Sequence, residues 1–320
     1  MKQRSTALIV ALLFPVVTRA QQRPPDPPPI IDMHLHTSPW TPGGATDVAA
    51  AEAAQRAILD SLNRYNVVLA IASGSYEIAQ AWARVAPKRI LAAAAFPCEK
   101  GRMPNAGPRC FADGKVYPDT AWLRREYTAG RLAALGEIVT QYSGLAPADA
   151  SMNPYWELAE QLDIPVLIHV GPGPPGAAYP NGICGTQACA SNYRMELSNA
   201  LLLEPALRKH PRVRVLVMHA GWPQVDNLLG LMYAHPQVYA DIGVWSTIMP
   251  PDEYQFQLLR LVRAGYGKRI LYGSDLPEMG KAISRITDAA YLTAEQKKDI
   301  LHDNAARFLR LDTEQARPRH

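Results

Sequence analysis

Eight short apolar runs, each followed by a longer amphipathic segment, constrain the fold of this chain more than any other feature of its sequence. Most of these runs are apolar throughout rather than alternating with polar residues, as in parallel strands buried on both faces. Eight strands that alternate with helices predict a (β/α)8 barrel, the TIM-barrel fold. The runs are Ile30–His36, Val67–Ala72, Ile90–Phe96, Leu132–Val139, Pro165–Val170, Val213–His219, Val238–Val244 and Ile270–Asp275.

The segments between the runs predict helices. An open, doubly wound sheet is the alternative, but no glycine-rich phosphate-binding turn follows an early strand. We therefore expect a single barrel domain over residues 30–310 and a flexible tail at 311–320. The predicted helices are Val48–Arg64, Tyr76–Val85, Asp119–Ala129, Pro154–Gln161, Glu196–Lys209, Gln224–Ala234, Glu253–Ala264, Lys281–Ala290 and Ala294–Leu309.

The first twenty residues predict a signal peptide. Lys2 and Arg4 precede the apolar stretch Ala7–Val17, and the small residue Ala20 stands before Gln21. The apolar stretch is too short to cross a bilayer, which takes about 20 residues. We expect export to the periplasm or the medium, with residues 21–29 left as a proline-rich lead-in to the domain.

The net charge argues against binding by bulk electrostatics. The formal charge is +4, but Lys2, Arg4 and Arg19 belong to the predicted signal peptide, and without them 30 basic residues face 29 acidic ones. Such a balance gives no support to binding of nucleic acid or of an acidic membrane. We expect a small-molecule substrate as the partner, and the sequence leaves the oligomeric state open, a homo-oligomer included.

The four cysteines fit an oxidising compartment. Four cysteines allow three pairings, and the sequence does not choose among them. Local disulfides, Cys98 with Cys110 and Cys184 with Cys189, are the simplest arrangement. A zinc site from the four is the alternative, which we disfavour because neither pair has the short gap usual for zinc.

The metal-capable polar residues cluster where the predicted strands end. Because the carboxyl ends of barrel strands meet at one rim, side chains there converge. His34 and His36 are two residues apart, so both point to the same side of the first strand and can reach one ion. Imidazoles together with a carboxylate suit zinc or a similar divalent metal. The rim residues, in strand order, are His34, His36, Glu137, His169, His219 and Asp275.

Each rim residue also has an ordinary interpretation when it is taken alone. A single strand-end histidine is more often a satisfied polar residue than a ligand. Asp275 could cap the helix that follows, and Glu137 could be a buried ion-pair partner. Placement at five of eight strand ends favours a metal site over these separate explanations. The other histidines are excluded, as surface-turn residues (His210, His235), a residue of the last helix (His302) and a tail residue (His320).

Long connections and aromatic residues are candidates for the walls of a pocket. Residues 97–118 and 171–192 are long, rich in proline and glycine, and predicted to lie on the catalytic face. Trp40 and Trp245 could stack on a substrate ring, and Arg194 could bind a substrate carboxylate. For each of the three, structural packing or ordinary surface charge is the alternative.

Taken together, these segments resemble the amidohydrolase superfamily. The similarity is to the branch of TIM-barrel metal-dependent hydrolases that also contains aminocarboxymuconate-semialdehyde decarboxylase-like enzymes, and it covers about residues 30–310. The matching segments are Asp32–His36 (DMHLH), Pro165–His169 (PVLIH), Val217–Gly221 (VMHAG), Leu271–Asp275 (LYGSD) and Asn304–Arg307 (NAAR).

The resemblance implies a metal site. It assigns one divalent ion, with zinc as the first expectation, to the ligands His34, His36, His169 and Asp275, with His219 beside it. Glu137 is then a further ligand or a partner of one. The alternative comes from TatD-like relatives, in which a glutamate at this place bridges two metals and a second ion lies on the histidines of strands five and six. We favour one ion.

The resemblance also implies hydrolysis. A metal lowers the pKa of a bound water from about 16 towards 7, so that it can attack an amide, ester or lactone. Asp275 would take the proton, and His219 would stabilise the oxyanion. The alternative is a metal-dependent non-oxidative decarboxylase of an aromatic or unsaturated acid, which export disfavours because such relatives mostly serve intracellular catabolism. A non-catalytic binding protein is disfavoured because all six rim groups are present.

Overall fold

Eight parallel strands form one sheet in the computed structural model of the chain, and each strand is hydrogen-bonded to the next in chain order. The strands are buried along nearly their whole length, which explains why their sequences are apolar throughout. Their bounds are Ile30–His36 (β1), Val67–Ser73 (β2), Ile90–Phe96 (β3), Ala134–Ile138 (β4), Val166–His169 (β5), Val215–Met218 (β6), Val238–Asp241 (β7) and Ile270–Leu271 (β8).

Backbone contacts between the first and last strands bring the two edges of the sheet together. Met33 N–H donates to the carbonyl oxygen of Tyr272 at 3.0 Å, and Asp275 N–H donates to that of His34 at 2.6 Å. The second contact draws the chain out of β8 after only two residues and places Asp275 beside β1. The barrel is thus nearly closed, and the predicted (β/α)8 fold is confirmed.

The structure describes residues 27–36, 48–98, 109–173, 175–179, 192–275 and 278–311, with side chains of the first helix from residue 53 onward. Several predictions fall outside these residues: the signal peptide, Trp40, Cys184 and Cys189. Within the described ranges, no helix is long and apolar enough to cross a membrane.

At least one helix follows every strand. The helices are Val48–Arg64 (α1), Tyr76–Val85 (α2), Thr120–Thr128 (α3), Asn153–Leu162 (α4), Glu204–Lys209 (α5), Val225–Ala234 (α6), Trp245–Ile248 (α7), Pro251–Leu261 (α8), Met279–Thr287 (α9), Ala294–Lys298 (α10) and Asn304–Leu309 (α11).

The helix predicted over residues 196–209 is wrong in its first half. Two 3-10 turns, Met195–Ser198 and Ala200–Leu203, precede α5. Asn199 separates them with extended backbone angles, and its side chain accepts the N–H of Leu201 at 3.0 Å. A short polar side chain that bonds to nearby backbone competes with helix formation, so one long helix does not form.

Apolar side chains fill the barrel interior below the rim. This inner cluster includes Ile31, Met33, Leu167 and Met218, and Phe308 of α11 packs into the same cluster. A second and larger cluster lies between the strands and the surrounding helices. The polar groups at the rim therefore lie on an apolar layer, next to which electrostatic interactions are stronger than in water.

A disulfide joins Cys98 and Cys110, as predicted for this pair. Both cysteines are buried. The segment after the bond is anchored on the start of α2, because Tyr76 N–H donates to the carbonyl of Cys110 at 2.9 Å and Ala112 N–H donates to Glu77 Oε1 at 2.8 Å. The connection after β3 is thereby fastened to the barrel wall at its described end.

Candidate metal centre

Six polar side chains meet at the carboxyl end of the barrel, and they are the six rim residues predicted from the sequence. They form three overlapping trios whose potential ligand atoms lie within 4.8 Å of one another. The trios are His34, His36 and Glu137; His34, His219 and Asp275; and Glu137, His169 and His219.

The first half of the rim, which we call the β1 half, consists of His34, His36 and Asp275. The Nε2 atom of His36 lies 2.9 Å from Asp275 Oδ1, and the Nε2 atom of His34 lies 3.5 Å from the same oxygen. The side chain of His36 is 22% exposed, whereas that of His34 is fully buried. Access from solvent to the β1 half therefore passes by His36.

The second half, which we call the β4–β6 half, consists of Glu137, His169 and His219. Glu137 Oε1 lies 2.6 Å from His169 Nδ1, and that nitrogen lies 2.9 Å from His219 Nε2. All three residues are buried. The described geometry thus groups His169 with Glu137 and His219. Glu137 Oε2, at 3.7 Å from His34 Nε2, connects the two halves.

Unsatisfied nitrogens test whether these residues fit a metal ion. The Nε2 atoms of His34 and His169 are buried and have no hydrogen-bond partner among the described residues. A buried polar atom without a partner is costly, and a cation would satisfy it. Nitrogen and carboxylate donors together are also the set that zinc and similar divalent metals prefer. The rim therefore fits a divalent cation.

The electrostatics of the rim agree with that fit. Burial alone would raise the pKa of Glu137, but the hydrogen bonds with His169, His219 and His34 together outweigh it and hold the pKa well below its usual value. Burial opposes a low pKa at Asp275 too, and the facing charge of His34 lowers that pKa nevertheless. Two buried carboxylates that stay ionised need compensating positive charge.

Strained backbone positions aim two of the rim side chains. His219 has φ 59° and Asp275 has φ 61°, which is the left-handed region that residues other than glycine rarely adopt. Such conformations persist only where the surrounding structure enforces them, and they concentrate at functional sites. The strain is consistent with selection for the placement of these two side chains.

Two buried aspartates support the rim and were not identified as site residues from the sequence. Asp241, the last residue of β7, accepts a hydrogen bond from the Nδ1 of His34 at 3.0 Å. Asp32 accepts the backbone N–H groups of His34 and Ser274, both at 3.0 Å. Against the effect of burial, Asp275 and Asp241 together raise the pKa of His34 well above its ordinary value.

A signal for Asp241 was present in the sequence. It is a carboxylate at the end of an apolar run, as Asp275 is. The run was predicted to extend to Val244, which placed Asp241 in the middle of a strand. The strand ends at Asp241 because the chain then turns, and Gly243 N–H donates back to the Asp241 carboxylate at 2.8 Å.

The predicted substrate-binding residues do not all line the rim. Trp245 is fully buried, and its indole N–H donates to the carbonyl of His219 at 2.9 Å, so it supports His219 from behind. Arg194 is exposed, and its guanidinium lies 3.4 Å from the carbonyl of Tyr193. Tyr142, which was not among the predicted substrate-binding residues, packs its ring edge-on against His169, with centroids 5.0 Å apart.

Two of the excluded histidines are buried. His210 lies with its Nδ1 3.3 Å from Glu160 Oε2, so its predicted position in a surface turn is wrong. His302 lies 2.7 Å from Asp303. Neither belongs to a trio, so their exclusion from the candidate metal site agrees with the geometry.

Solved structures with the same fold span nearly the whole barrel. A TIM-barrel protein from Bordetella bronchiseptica has a TM-score of 0.62 at 14% identity, covering 90% of this chain and 99% of that one. The 2,6-dihydroxybenzoate decarboxylase from Rhizobium has a TM-score of 0.57 at 16% identity, covering 89% and 99%.

Another structure has a comparable score. A protein from Acinetobacter baumannii, described as a probable 2-pyrone-4,6-dicarboxylic acid hydrolase, has a TM-score of 0.58 at 14% identity, covering 88% of this chain and 99% of that one. At such identities the likeness shows the fold alone. No curated protein matches the chain. A family model for amidohydrolases matches residues 31–311. Because that match covers most of the sequence, the chain belongs to the amidohydrolase family.

Proposed function

We propose that this protein is a metal-dependent hydrolase that uses water to cleave a small amide, ester or lactone. The observation that carries the proposal is the convergence of four histidines and two carboxylates at one rim, where the Nε2 of His34 faces both carboxylates and has no hydrogen-bond partner among the described residues. Amidohydrolase-family membership supports the same reaction class.

We propose that one divalent ion, zinc in the first place, is held by His34, His36, His169 and Asp275, with Glu137 as a further ligand or as the partner that orients His169. A divalent cation at such a site polarises a carbonyl and lowers the pKa of a water molecule. The 2.6 Å contact between Glu137 and His169 supports the orienting role, because carboxylates commonly fix the ring of a ligand histidine.

Asp275 is the proposed general base. Its Oδ1 faces His36, which is the exposed member of the rim, and its Oδ2 lies 3.6 Å from the Nδ1 of His219. It is therefore placed between the solvent side and the interior. Asp275 would take a proton from the attacking water on Oδ1 or Oδ2 and return it to the leaving group.

His219 is the proposed stabiliser of negative charge. Its ring is fixed on both sides, with Nδ1 3.2 Å from the carbonyl of Gly243 and Nε2 2.9 Å from His169. Because both ring nitrogens already have partners, His219 would act through the positive charge of its ring. Burial lowers the pKa of His219, but the hydrogen bond with Glu137 and the charge of Asp275 together raise it above its usual value, which supports this role.

We further propose that the enzyme acts outside the cytoplasm on a small molecule, not on nucleic acid or membranes. The charge balance after removal of residues 1–20 supports the second part, and the Cys98–Cys110 disulfide is compatible with the first. A homo-oligomer would be compatible with both.

The second candidate reaction is non-oxidative decarboxylation. The fold likeness to the Rhizobium decarboxylase favours it, since the same scaffold serves that reaction there. In that case the rim would hold the carboxylic acid and stabilise the carbanion that forms when carbon dioxide leaves. The predicted export favours hydrolysis.

A direct assay separates the two reactions. The purified protein with zinc supplied is given a panel of lactones, amides, esters and aromatic acids in water enriched in ¹⁸O. Hydrolysis predicts ¹⁸O in the acid product and no release of carbon dioxide. Carbon dioxide release from an aromatic acid, without turnover of any lactone, amide or ester, would contradict the hydrolase proposal and establish the second candidate. Asp275→Asn is the control for adventitious hydrolysis.

A further inference from the structure

A buried carboxylate, that of Asp241, contacts the ring of His34 at Nδ1, the ring nitrogen that does not face Glu137 and Asp275. We propose that Asp241 is a positioning residue that holds the ring of His34 through Nδ1, so that the other ring nitrogen, Nε2, faces the rim and is the one that binds a cation. This inference rests on the metal site proposed above, and it adds a residue that does not itself contact the ion.

The contacts of Asp241 determine that the Nδ1 atom of the His34 ring carries a proton. Its Oδ2 lies 3.0 Å from the Nδ1 of His34, and its Oδ1 accepts the backbone N–H of His219 at 3.1 Å and of Gly243 at 2.8 Å. An ionised carboxylate only accepts hydrogen bonds. The Nδ1 of His34 must therefore carry a proton, and in the neutral ring Nε2 does not.

The Nε2 atom of His34 faces the two carboxylates of the rim. His34 Nε2 lies 3.5 Å from Asp275 Oδ1 and 3.7 Å from Glu137 Oε2, and it has no hydrogen-bond partner among the described residues. A ring with the opposite tautomer would direct a proton at this point and could not bind a cation there. The pairing with Asp241 thus assigns Nδ1 to the carboxylate and leaves Nε2 as the nitrogen that an ion would take.

Two glycines pack closely against His34 and Asp241 and leave no space for a side chain. A Cβ on Gly243 would lie 2.9 Å from His34 Nδ1, and a Cβ on Gly273 would lie 2.6 Å from His34 Cβ. Cβ atoms essentially never make contacts this short, so a side chain at either position would force its neighbours to move. Glycine at both positions therefore lets the ring and the Asp241 carboxylate approach each other across two different loops.

The same carboxylate also reaches His219. By accepting the N–H of His219, Asp241 fastens a residue that has the strained φ of 59°. One buried side chain at the end of β7 thus orients a ring from β1 and a backbone position after β6. Its removal should disturb both halves of the rim, and the ring of His34 most.

Asp32 provides a matched control. It too is fully buried beside the rim, and its Oδ1 also accepts two backbone N–H groups, from His34 and Ser274. Its Oδ2, however, has no hydrogen-bond partner among the described residues, and no ring nitrogen is bonded to it. A role confined to fastening backbone would therefore be shared by Asp32 and Asp241, whereas control of the tautomer would not.

The substitution Asp241→Asn separates these roles with little change in shape. The amide oxygen of asparagine can still accept from His219 and Gly243, but its NH₂ then faces the Nδ1 of His34 and donates to it. The proton of the ring is thereby moved to Nε2, on the side of the metal. Asp32→Asn changes the same atoms on the control residue without that consequence.

The experiment measures the affinity of full-length protein for Zn²⁺ alone, by competition with a chromophoric chelator, for wild type, Asp241→Asn and Asp32→Asn. We expect Asp241→Asn to raise the Kd by about 10- to 100-fold, the range for loss of such a partner. The Kd of Asp32→Asn should rise by less than that of Asp241→Asn, because the amide oxygen can still accept both backbone N–H groups. Equal effects of the two substitutions, or none from Asp241→Asn, would overturn the inference. A wild-type protein that binds no Zn²⁺ would instead overturn the proposed metal site together with it.

A measurement on wild type covers the case in which Asp241→Asn does not fold. In zinc-loaded protein with ¹⁵N-labelled histidine, the His34 ring should show a protonated Nδ1 in a hydrogen bond, assigned by its absence from the spectrum of His34→Gln. A His34 ring protonated at Nε2 would contradict the inference without recourse to any Asp241 variant.

Discussion

The two halves of the rim carry the same kinds of side chain but differ in how tightly they are closed. In the β4–β6 half, Glu137, His169 and His219 contact one another at 2.6 and 2.9 Å, and all are buried. In the β1 half, His34 stands 3.5 Å from Asp275, and His36 opens to solvent. The β4–β6 half is thus a chain of short contacts, whereas in the β1 half only His36 and Asp275 are as close, at 2.9 Å, and the Nε2 of His34 has no partner among the described residues.

The difference indicates that the two halves of the rim have different roles. Water and substrate can reach the β1 half past His36, where Asp275 is placed to move a proton. The β4–β6 half is a preformed network, and a second ion there would have to displace the hydrogen bonds that Glu137 and His169 share. Breaking buried charge-assisted hydrogen bonds is costly, which favours one ion over two.

The largest expected effect comes from removing a ligand of the β1 half. His34→Gln leaves Asp241 and Asp275 without the ring between them, so we expect zinc binding to fall by more than the roughly 100-fold that loss of an outer partner costs. Activity should fall with it. Elemental analysis after dialysis measures the metal content, and an unchanged content would remove His34 from the site.

A smaller effect is expected when the base is neutralised and the histidines are kept. Asp275→Asn should lower kcat by about 10²- to 10⁴-fold, the usual contribution of general acid–base catalysis. Because four histidines remain, part of the zinc should be retained. Circular dichroism checks that the fold is intact, and an unchanged kcat would exclude Asp275 from the proton transfer.

Glu137→Gln tests the role of the β4–β6 half. If Glu137 orients His169 at a one-ion site, kcat and zinc affinity should each fall by about 10- to 100-fold with the metal content per chain unchanged at saturation. If Glu137 bridges two ions, the content at saturation should drop from two to one. The stoichiometry therefore decides between the two arrangements.

The smallest effect on catalysis is expected away from both halves, at the disulfide after β3. Replacing Cys98 and Cys110 together by alanine removes a cross-link that spans 12 positions, and the free energy of unfolding should fall by about 3 kcal/mol. Once folded, the variant should bind zinc like wild type. Chemical denaturation and zinc titration measure the two quantities, and weakened zinc binding would show that the loop helps to form the rim.

The fold followed from the sequence because its signals are local. Strands β1 and β3 have the predicted bounds, since a buried parallel strand is apolar throughout. The rim residues followed from the topology, which brings strand ends together. The end of β8 could not be predicted in this way. It depends on the hydrogen bond from Asp275 N–H to the backbone of β1, a contact between residues that are distant in the sequence.

The partners within the site were beyond the sequence for the same reason. Glu137 pairs with His169 and Asp241 with His34, across 32 and 207 positions. Spacing along the chain identifies which residues reach the rim, but the choice of partner depends on ring orientation and on the turns after each strand. The sequence does not identify Asp241 as a site residue, because the predicted strand extends past the turn at Gly243.

Metal content tests the central claim most directly. The protein is expressed with zinc supplied, purified without chelator, dialysed against metal-free buffer and analysed for divalent metals per chain, with His34→Gln treated in parallel. The account predicts about one divalent ion per wild-type chain and much less in His34→Gln. A wild-type protein that folds correctly and yet retains no divalent metal would contradict it.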